Sequence, residues 1–349
     1  MPTSTARLSV NIVSWNSMAF LPKLFDSLDE QLIPFRTIIV DNASTDGSVN
    51  WLTKEKSHIT ILRNMRNQGF SRAYNQTIQM ALAGWADANL SECYIVVCNP
   101  DIELDSNCLK ILFDFMETHP EVDACMPKLF RAYLRATETE QIKTERSKTL
   151  DATGLVITKS RRAYDRGAGE SDVGQYDNAY KIFGVGGALS CYRASSLISA
   201  MDGQEFYDED FFAYKEDVDM AWRFKRLGLK SAFVPNAIAW HHRTAPSSSS
   251  NNWIKALIYR HNKPKHINYF STRNHIWFLV KHLSVSDLFF HGLWIFPYEL
   301  CKLITAFFSR GSIKGYWHAL TGLSKMLKKR KKYKQKERLD AHAIRGELV

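Results

Sequence analysis

Three carboxylates within four positions, Glu216, Asp217 and Asp219, open an aromatic-flanked helical pattern that runs from Phe211 to Arg223. A helix N-terminus favours carboxylates through its dipole. Crowding like charges beside aromatic rings also raises a carboxyl pKa, which is how a general base is tuned. Arg223 stands four residues after Asp219, at the spacing of an intrahelical ion pair.

Other polar groups fall where short apolar runs end. Asn99-Pro100-Asp101 follows Tyr94–Cys98 directly, so Asp101 is set at the mouth of a strand, where a divalent cation bridging two phosphates can be held. The run Asp41-Asn42-Ala43-Ser44-Thr45-Asp46-Gly47-Ser48 closes an earlier strand with side-chain acceptors suited to a ribose and a base edge; Asx turns and a helix cap explain the same residues. Asn67-Gln68-Gly69-Phe70, with Asn75, opens a helix beside the same crevice. His241 and His242 are adjacent and must point in different directions, so at most one faces a site, where it could ligate a metal. The chain has no G-x-G-x-x-G, Walker A, G-x-S-x-G or H-E-x-x-H pattern, which removes the common dinucleotide, ATPase, serine-hydrolase and zinc-protease chemistries.

These groups need a scaffold, and the apolar runs provide one. Strand patterns at Leu8–Val13, Thr37–Val40, Ile59–Leu62 and Tyr94–Cys98 alternate with helical patterns near 19–31, 48–56, 71–83 and 106–118. That rhythm predicts an α/β fold with a mostly parallel sheet flanked by helices, with ligands at the strand C-termini. The stretch Arg131–Lys148 is charged and reads as a loop or insertion. A Gly-rich strand at 183–192, a helix at 214–227 and a closing strand at 230–234 complete the domain. After Ser247–Ser250 the character changes to aromatic, amphipathic helices, so we place one domain over 1–250 and a helical region over 251–349.

Charge separates the two regions sharply. The 349 residues carry +10, but Arg310–Val349 holds 12 Lys and Arg against 3 Asp and Glu, so +9 lies there and +1 in the preceding 309 residues. A basic field confined to one end argues against a nucleic-acid partner and for an anionic membrane surface. Leu288–Phe308 is apolar but interrupted by His291, Pro297, Glu299 and Lys302, which suits an interfacial rather than a spanning helix. Ile313, Tyr316, Trp317, Leu320, Leu323 and Leu327 form one apolar face next to a lysine cluster. The six cysteines show no C-x-x-C spacing, and Met1–Ser9 has no apolar stretch; both point to a cytoplasmic chain bound peripherally to the membrane. Every candidate site residue precedes residue 250, so a chain lacking 311–349 is expected to keep its chemistry and lose its bilayer residence.

In order, Val13-Ser14-Trp15-Asn16, Val40–Ser48, Asn67–Asn75, Asn99-Pro100-Asp101, Gly186-Gly187-Ala188, Phe211–Arg223 and Val234–His241 resemble the inverting family 2 glycosyltransferases with a GT-A fold. The resemblance implies Asp217 as catalytic base, supported by Glu216, Asp219 and Arg223. It implies a Mn2+ or Mg2+ ion on Asp101 and His241, with Asn99 standing where relatives have a first carboxylate. It also implies a nucleotide-sugar site from Asn16, Asp41, Asn42, Asn67, Gly69, Asn75, Asn99 and Gly187. The segments 162–170, 174–177 and 207–212, with Arg273-Asn274-His275, resemble bacterial rhamnosyltransferases. That implies dTDP-L-rhamnose as donor, a polyprenyl-diphosphate-linked or other glycan acceptor, and a place in cell-surface polysaccharide or O-antigen assembly. Transfer of another activated sugar, or a non-catalytic nucleotide-sugar-binding scaffold, is the alternative.

Overall fold

The structure, a computed structural model, describes residues 6–136, 142–242 and 263–349. The Ser247–Ser250 break and the boundary at 250 lie outside the described residues.

The parallel half of the sheet forms as the apolar runs predict. β1 (Leu8–Ser14), β2 (Arg36–Asp41), β3 (Thr60–Arg63) and β4 (Tyr94–Cys98) lie in the order β4-β1-β2-β3. β1 and β4 are buried along their whole length, as continuous apolar strands covered on both faces must be. Their crossovers are α1 (Leu21–Asp29), α2 (Ser48–Glu55) and α3 (Phe70–Ala83). After β5 (Ile102–Leu104) and α4 (Cys108–Thr118), the sheet extends to ten strands.

The extension corrects one sequence expectation. Most of the charged stretch from Arg131 is not a loop but part of a long antiparallel pair, β6 (Ala124–Ala136) with β7 (Ile142–Ala152). β7 is polar at every position from Lys143 to Thr149, and such a run, without an apolar face, hides a strand. A small hairpin, β8 (Leu155–Ile157) with β9 (Ala163–Asp165), precedes β10 (Lys181–Ile182), β11 (Leu189–Arg193) and α5 (Ala194–Ala200). The Gly-rich run before β11 is therefore loop, not strand. α6 (Glu216–Arg226) has three acids in its first turn and Arg223, Lys225 and Arg226 in its last, complementing the helix dipole at both ends. β12 (Ser231–His241) runs on past Val234, with an irregularity before Ile238, and carries its C-terminus to Asp101.

The C-terminal helices are α7 (Lys265–His282), α8 (Val285–Ala306), α9 (Ser312–Thr321), α10 (Leu323–Lys334) and α11 (Ala341–Arg345). α9 and α10 part at Gly322, where a Cβ would sit 2.6 Å from the Trp277 ring. These helices share a core with the first region: Trp277, Phe278, Ala319, Met326 and Ile344 cluster with Phe183, Phe211, Val218 and Trp222. The basic cluster is also partly neutralised internally. Lys329 Nζ lies 2.5 Å from Asp208 and 2.7 Å from Asp210, Lys325 lies 2.5 Å from Asp210, and Lys332 pairs with Asp202. Residues 311–349 are thus part of the fold that carries α6, not a detachable tail, and the expectation of an intact truncated chain is withdrawn.

Candidate active site

Two loops are stitched together at the C-terminal ends of β1 and β2. Asn16, at φ 51°, accepts from the Thr45 amide at 2.8 Å and donates its own amide to Ser44 Oγ at 2.9 Å. Asp41 is buried; Oδ1 accepts from the Ser44 amide at 2.9 Å, and the buried Oδ2 has no partner among the described residues. An orphaned buried carboxylate oxygen at a strand terminus suits a ligand hydroxyl or base N–H. Asn42 is instead fully committed. Its amide donates to Asn67 Oδ1 and Gly69 O, both at 3.1 Å, and its oxygen accepts from the Gln68 amide at 3.0 Å and from Asn64 at 3.1 Å. Asn67 in turn accepts from the Gly69 amide at 2.8 Å. Gly69, at φ 84°, approaches Phe212 so closely that a Cβ would lie 2.6 Å from its carbonyl oxygen. Asn75 holds the Phe206–Tyr207 backbone, donating to Tyr207 O at 2.8 Å and accepting from its amide at 2.9 Å. Side chains of Asn42, Asn67 and Asn75 are therefore bonded to protein, and they shape the crevice.

The second cluster gathers at the end of β4. Asn99 donates its amide to Ala188 O at 2.8 Å, joining this corner to the Gly186–Ala188 loop. Asp101 Oδ2 lies 3.4 Å from His241 Nε2, and His241 Nδ1 lies 2.7 Å from Asp151 Oδ2. His242 turns away to Glu103 at 2.7 Å, so of the adjacent histidines it is His241 that lines the cavity. Burial opposes a charge on His241, but Asp101 and Asp151 together outweigh it and lift its pKa to about 10. The buried Asp101 Oδ1 has no partner among the described residues. An acceptor-rich corner whose histidine is backed by a second carboxylate matches the way metal-bound imidazoles are oriented. Among the described residues no group of three or more such ligands gathers. Asp101 and His241 are thus the two protein groups here that would hold a divalent ion, which would supply charge neutralisation.

An open cavity of about 380 Å3 connects this corner to the start of α6, lined by Asn99, Asp151, Asp165, Gly187, Lys215, Glu216, Asp217 and His241 among others. The turn before α6 places Phe212, Tyr214 and Lys215 at φ 64°, 69° and 72°. Such left-handed residues other than glycine store roughly 1–3 kcal/mol each, and they concentrate at functional sites. The turn presents Asp217 to the cavity, where Oδ1 accepts from the Val218 amide at 2.8 Å and Oδ2 from the Gly187 amide at 3.3 Å. Burial and the neighbouring Asp165 carboxylate raise the Asp217 pKa, while the two N–H groups and Lys215 resist. Glu216 is pushed further up, by burial and by Asp217, and its buried Oε2 has no partner among the described residues. Asp219 and Arg223 lie on the other side of α6, paired at 3.0 Å and buried.

Sequence reasoning assigned no role to Asp151, Asp165 or Lys215. Asp151 lies at the end of β7, just past the stretch that reads as a loop, and all three residues reach the cavity only through the tertiary fold.

The comparisons agree with this geometry. Residues 9–168 match the profile of Glycosyl transferase family 2. An N-acetylglucosaminyl-diphospho-decaprenol L-rhamnosyltransferase of Mycobacterium tuberculosis, found in two strains, is 25% identical over 230 residues, 60% of this chain and 67% of that protein. The crystal structure of GalNAc-T7 with UDP, GalNAc and Mn2+ superposes with a TM-score of 0.51 at 13% identity, over 77% of this chain and 50% of that one, so this chain spans half of that protein's length. The fold is the GT-A fold and the protein is a glycosyltransferase. Over residues 9–168 it is similar to family 2, and it is rhamnosyltransferase-like in sequence.

Replacing Asp165 by Asn removes a like charge from beside Asp217 and will lower the Asp217 pKa. Because a base must be deprotonated to act, the acid limb of the pH–rate profile will move to lower pH. A limb that stays in place or moves upward contradicts this electrostatic coupling.

Proposed function

We propose that this protein is an inverting rhamnosyltransferase that uses dTDP-L-rhamnose and a polyprenyl-diphosphate-linked glycan acceptor in cell-surface polysaccharide assembly. The observation that carries the reading is one cavity with the Asp217 carboxyl at one end and His241, next to Asp101, at the other. Donor and acceptor class are supported by the mycobacterial relative, whose name specifies both an L-rhamnosyl donor group and a decaprenyl-diphosphate acceptor.

Each residue then has a physical task. Asp41, with its orphaned oxygen, binds the nucleoside, and Asn16 keeps the adjoining loop in place. Asn42, Asn67, Gly69 and Asn75 preserve the crevice, and Asn99 with Gly187 forms its floor. Asp217 takes the acceptor hydroxyl proton while the Gly187 and Val218 amides keep its carboxylate aimed. Asp219 and Arg223 anchor α6 from below. Asp101 and His241 would hold Mn2+ or Mg2+, which supplies neutralisation of the departing nucleoside diphosphate.

The same reading puts the enzyme on the cytoplasmic face of a membrane, with the catalytic region 1–250 above a helical region 251–349. α8 is built inside out. Its polar stripe faces the protein: Asp287 is 1% exposed and bonded to Arg161 at 3.1 Å, and Glu299 accepts from His275 at 2.6 Å. Its apolar face is bare, with Phe289 83% and Leu293 86% exposed and Phe307, Trp317 and Leu320 continuing the patch. A patch of this kind marks a membrane or partner surface, and the exposed Lys328, Lys331 and Lys334 suit anionic lipid. No helix among the described residues is long and apolar enough to cross a membrane, so the contact is interfacial.

Asp217→Asn will bind donor with near-normal affinity yet lose transfer by about 100-fold or more, since an amide cannot take the proton. Wild-type turnover would remove Asp217 as base. In the same assay Asp101→Ala will raise the Mn2+ concentration needed for half activity, and an unchanged titration would remove the metal assignment.

Phe289→Glu with Leu293→Glu will release the protein from phosphatidylglycerol vesicles without lowering its melting temperature, because both side chains are exposed. Full retention on vesicles would remove α8 as the contact surface.

A further inference from the structure

α7 carries Arg273-Asn274-His275, and the first two of these residues contact neither the cavity nor the bilayer-facing patch. Asn274 is 0% exposed, yet its amide nitrogen lies 2.8 Å from Phe211 O, 2.8 Å from Ala213 O and 2.7 Å from Tyr214 O. Two N–H hydrogens are thus shared among three carbonyls of one turn. Arg273 adds to the same turn, donating to Asp210 O at 2.8 Å and Phe211 O at 2.9 Å. Its guanidinium is locked by the Trp277 ring at 4.1 Å and by Asn274 Oδ1, which accepts from its Nε at 2.9 Å.

The carbonyls so held belong to the segment in which Phe212, Tyr214 and Lys215 adopt left-handed backbone. A turn with three such residues has no reason to persist unless its surroundings over-determine it. On one side Phe212 O accepts from the Ser71 amide at 3.2 Å, and the Phe212 ring stacks on Phe270 of α7 at 4.9 Å and 8°. On the other side Asn274, itself buried, supplies donors to three carbonyls of the turn. Asp217 follows Lys215 by two residues, and the bonds it makes are to Gly187 and Val218. Those two amides fix the carboxylate oxygens, and the turn that Asn274 holds sets the backbone from which the side chain leaves.

We propose that Asn274, assisted by Arg273, is a positioning residue for glycosyl transfer: it templates the Phe211–Lys215 turn so that the Asp217 carboxylate meets the acceptor hydroxyl. This rests on the reading of Asp217 as base. The C-terminal region thereby contributes to the chemistry from a helix that touches no substrate.

The test uses the full-length protein with Mn2+, dTDP-L-rhamnose and a lipid-linked acceptor. Asn274→Asp keeps the side-chain volume but replaces the donors with a carboxylate facing three carbonyls. The expected result is a kcat reduced by about 100-fold, the scale on which roughly 1 Å of misplacement acts, with donor Kd unchanged within about threefold. Arg273→Lys, which loses the planar fork, is expected to reduce kcat by about tenfold with the same unchanged Kd. Met116→Ala loosens the separate core between α4 and the sheet, away from the turn, and is expected to leave kcat intact at a comparable loss of melting temperature. A folded Asn274→Asp with kcat within about threefold of wild type overturns the proposal. So does a loss of kcat matched by an equal loss of donor affinity, or by an equal loss in Met116→Ala. Should Asn274→Asp fail to fold, Arg273→Lys decides by the same criteria. An active Asp217→Asn would instead fault the base assignment, whereas an inactive Asp217→Asn beside a wild-type rate in Asn274→Asp faults the positioning role alone.

Discussion

Everything in this structure hangs from the Asp219 carboxylate. It lies beneath α6 with no solvent contact and is met by Lys281 Nζ at 2.5 Å, His282 Nε2 at 2.8 Å and Arg223 Nε at 3.0 Å. Lys281 also bonds Asp208 at 2.6 Å, and Lys329 reaches Asp208 from α10. Burial alone would disfavour the Asp219 anion, but Lys281 and Arg223 hold its pKa well below the ordinary range. His282 is driven down to about 4 by burial, so it stays neutral and donates a hydrogen bond. Such a network tolerates no missing member, since one uncompensated buried charge costs about 3–5 kcal/mol. α7 and α10 therefore cannot leave α6 without stranding charge, and the turn that aims Asp217 is held between them.

That constraint gives the C-terminal helices an architectural task before any membrane task. α7 faces the catalytic turn, α8 bonds to α7 through His275 and Glu299, and the outer surfaces of α8 and α9 are left apolar and bare. The layer thus has one polar face matched to the enzyme and one apolar face with no partner among the described residues.

Much of this was legible from residue order. The four parallel strands announced themselves as apolar runs, and Asp101, His241 and Asp217 stood where strands or helices begin or end. Adjacency allowed at most one of His241 and His242 to face the site, the resemblance chose His241, and the structure shows the two rings turned to different carboxylates. What escaped the sequence was long-range. β7 hid because its unbroken polar run from Lys143 to Thr149 resembles a charged loop. Lys325, Lys329 and Lys332 read as charges seeking lipid because nothing in a linear reading places Asp202, Asp208 and Asp210 against them. Asn274 stood in a segment noted for its resemblance alone, and only the fold shows the three carbonyls it serves. Asp165 sits 52 residues before Asp217 in sequence and becomes its electrostatic neighbour only when the sheet closes.

The central claim is a direct displacement in which Asp217 activates the acceptor hydroxyl and no sugar is passed to the protein. Its stereochemical signature is inversion at the anomeric carbon. Proton NMR of the product formed by the full-length enzyme from dTDP-β-L-rhamnose and a lipid-linked acceptor reads this in one spectrum. The account predicts an α-L-rhamnosyl linkage; a β-linked product, showing retention, would contradict it.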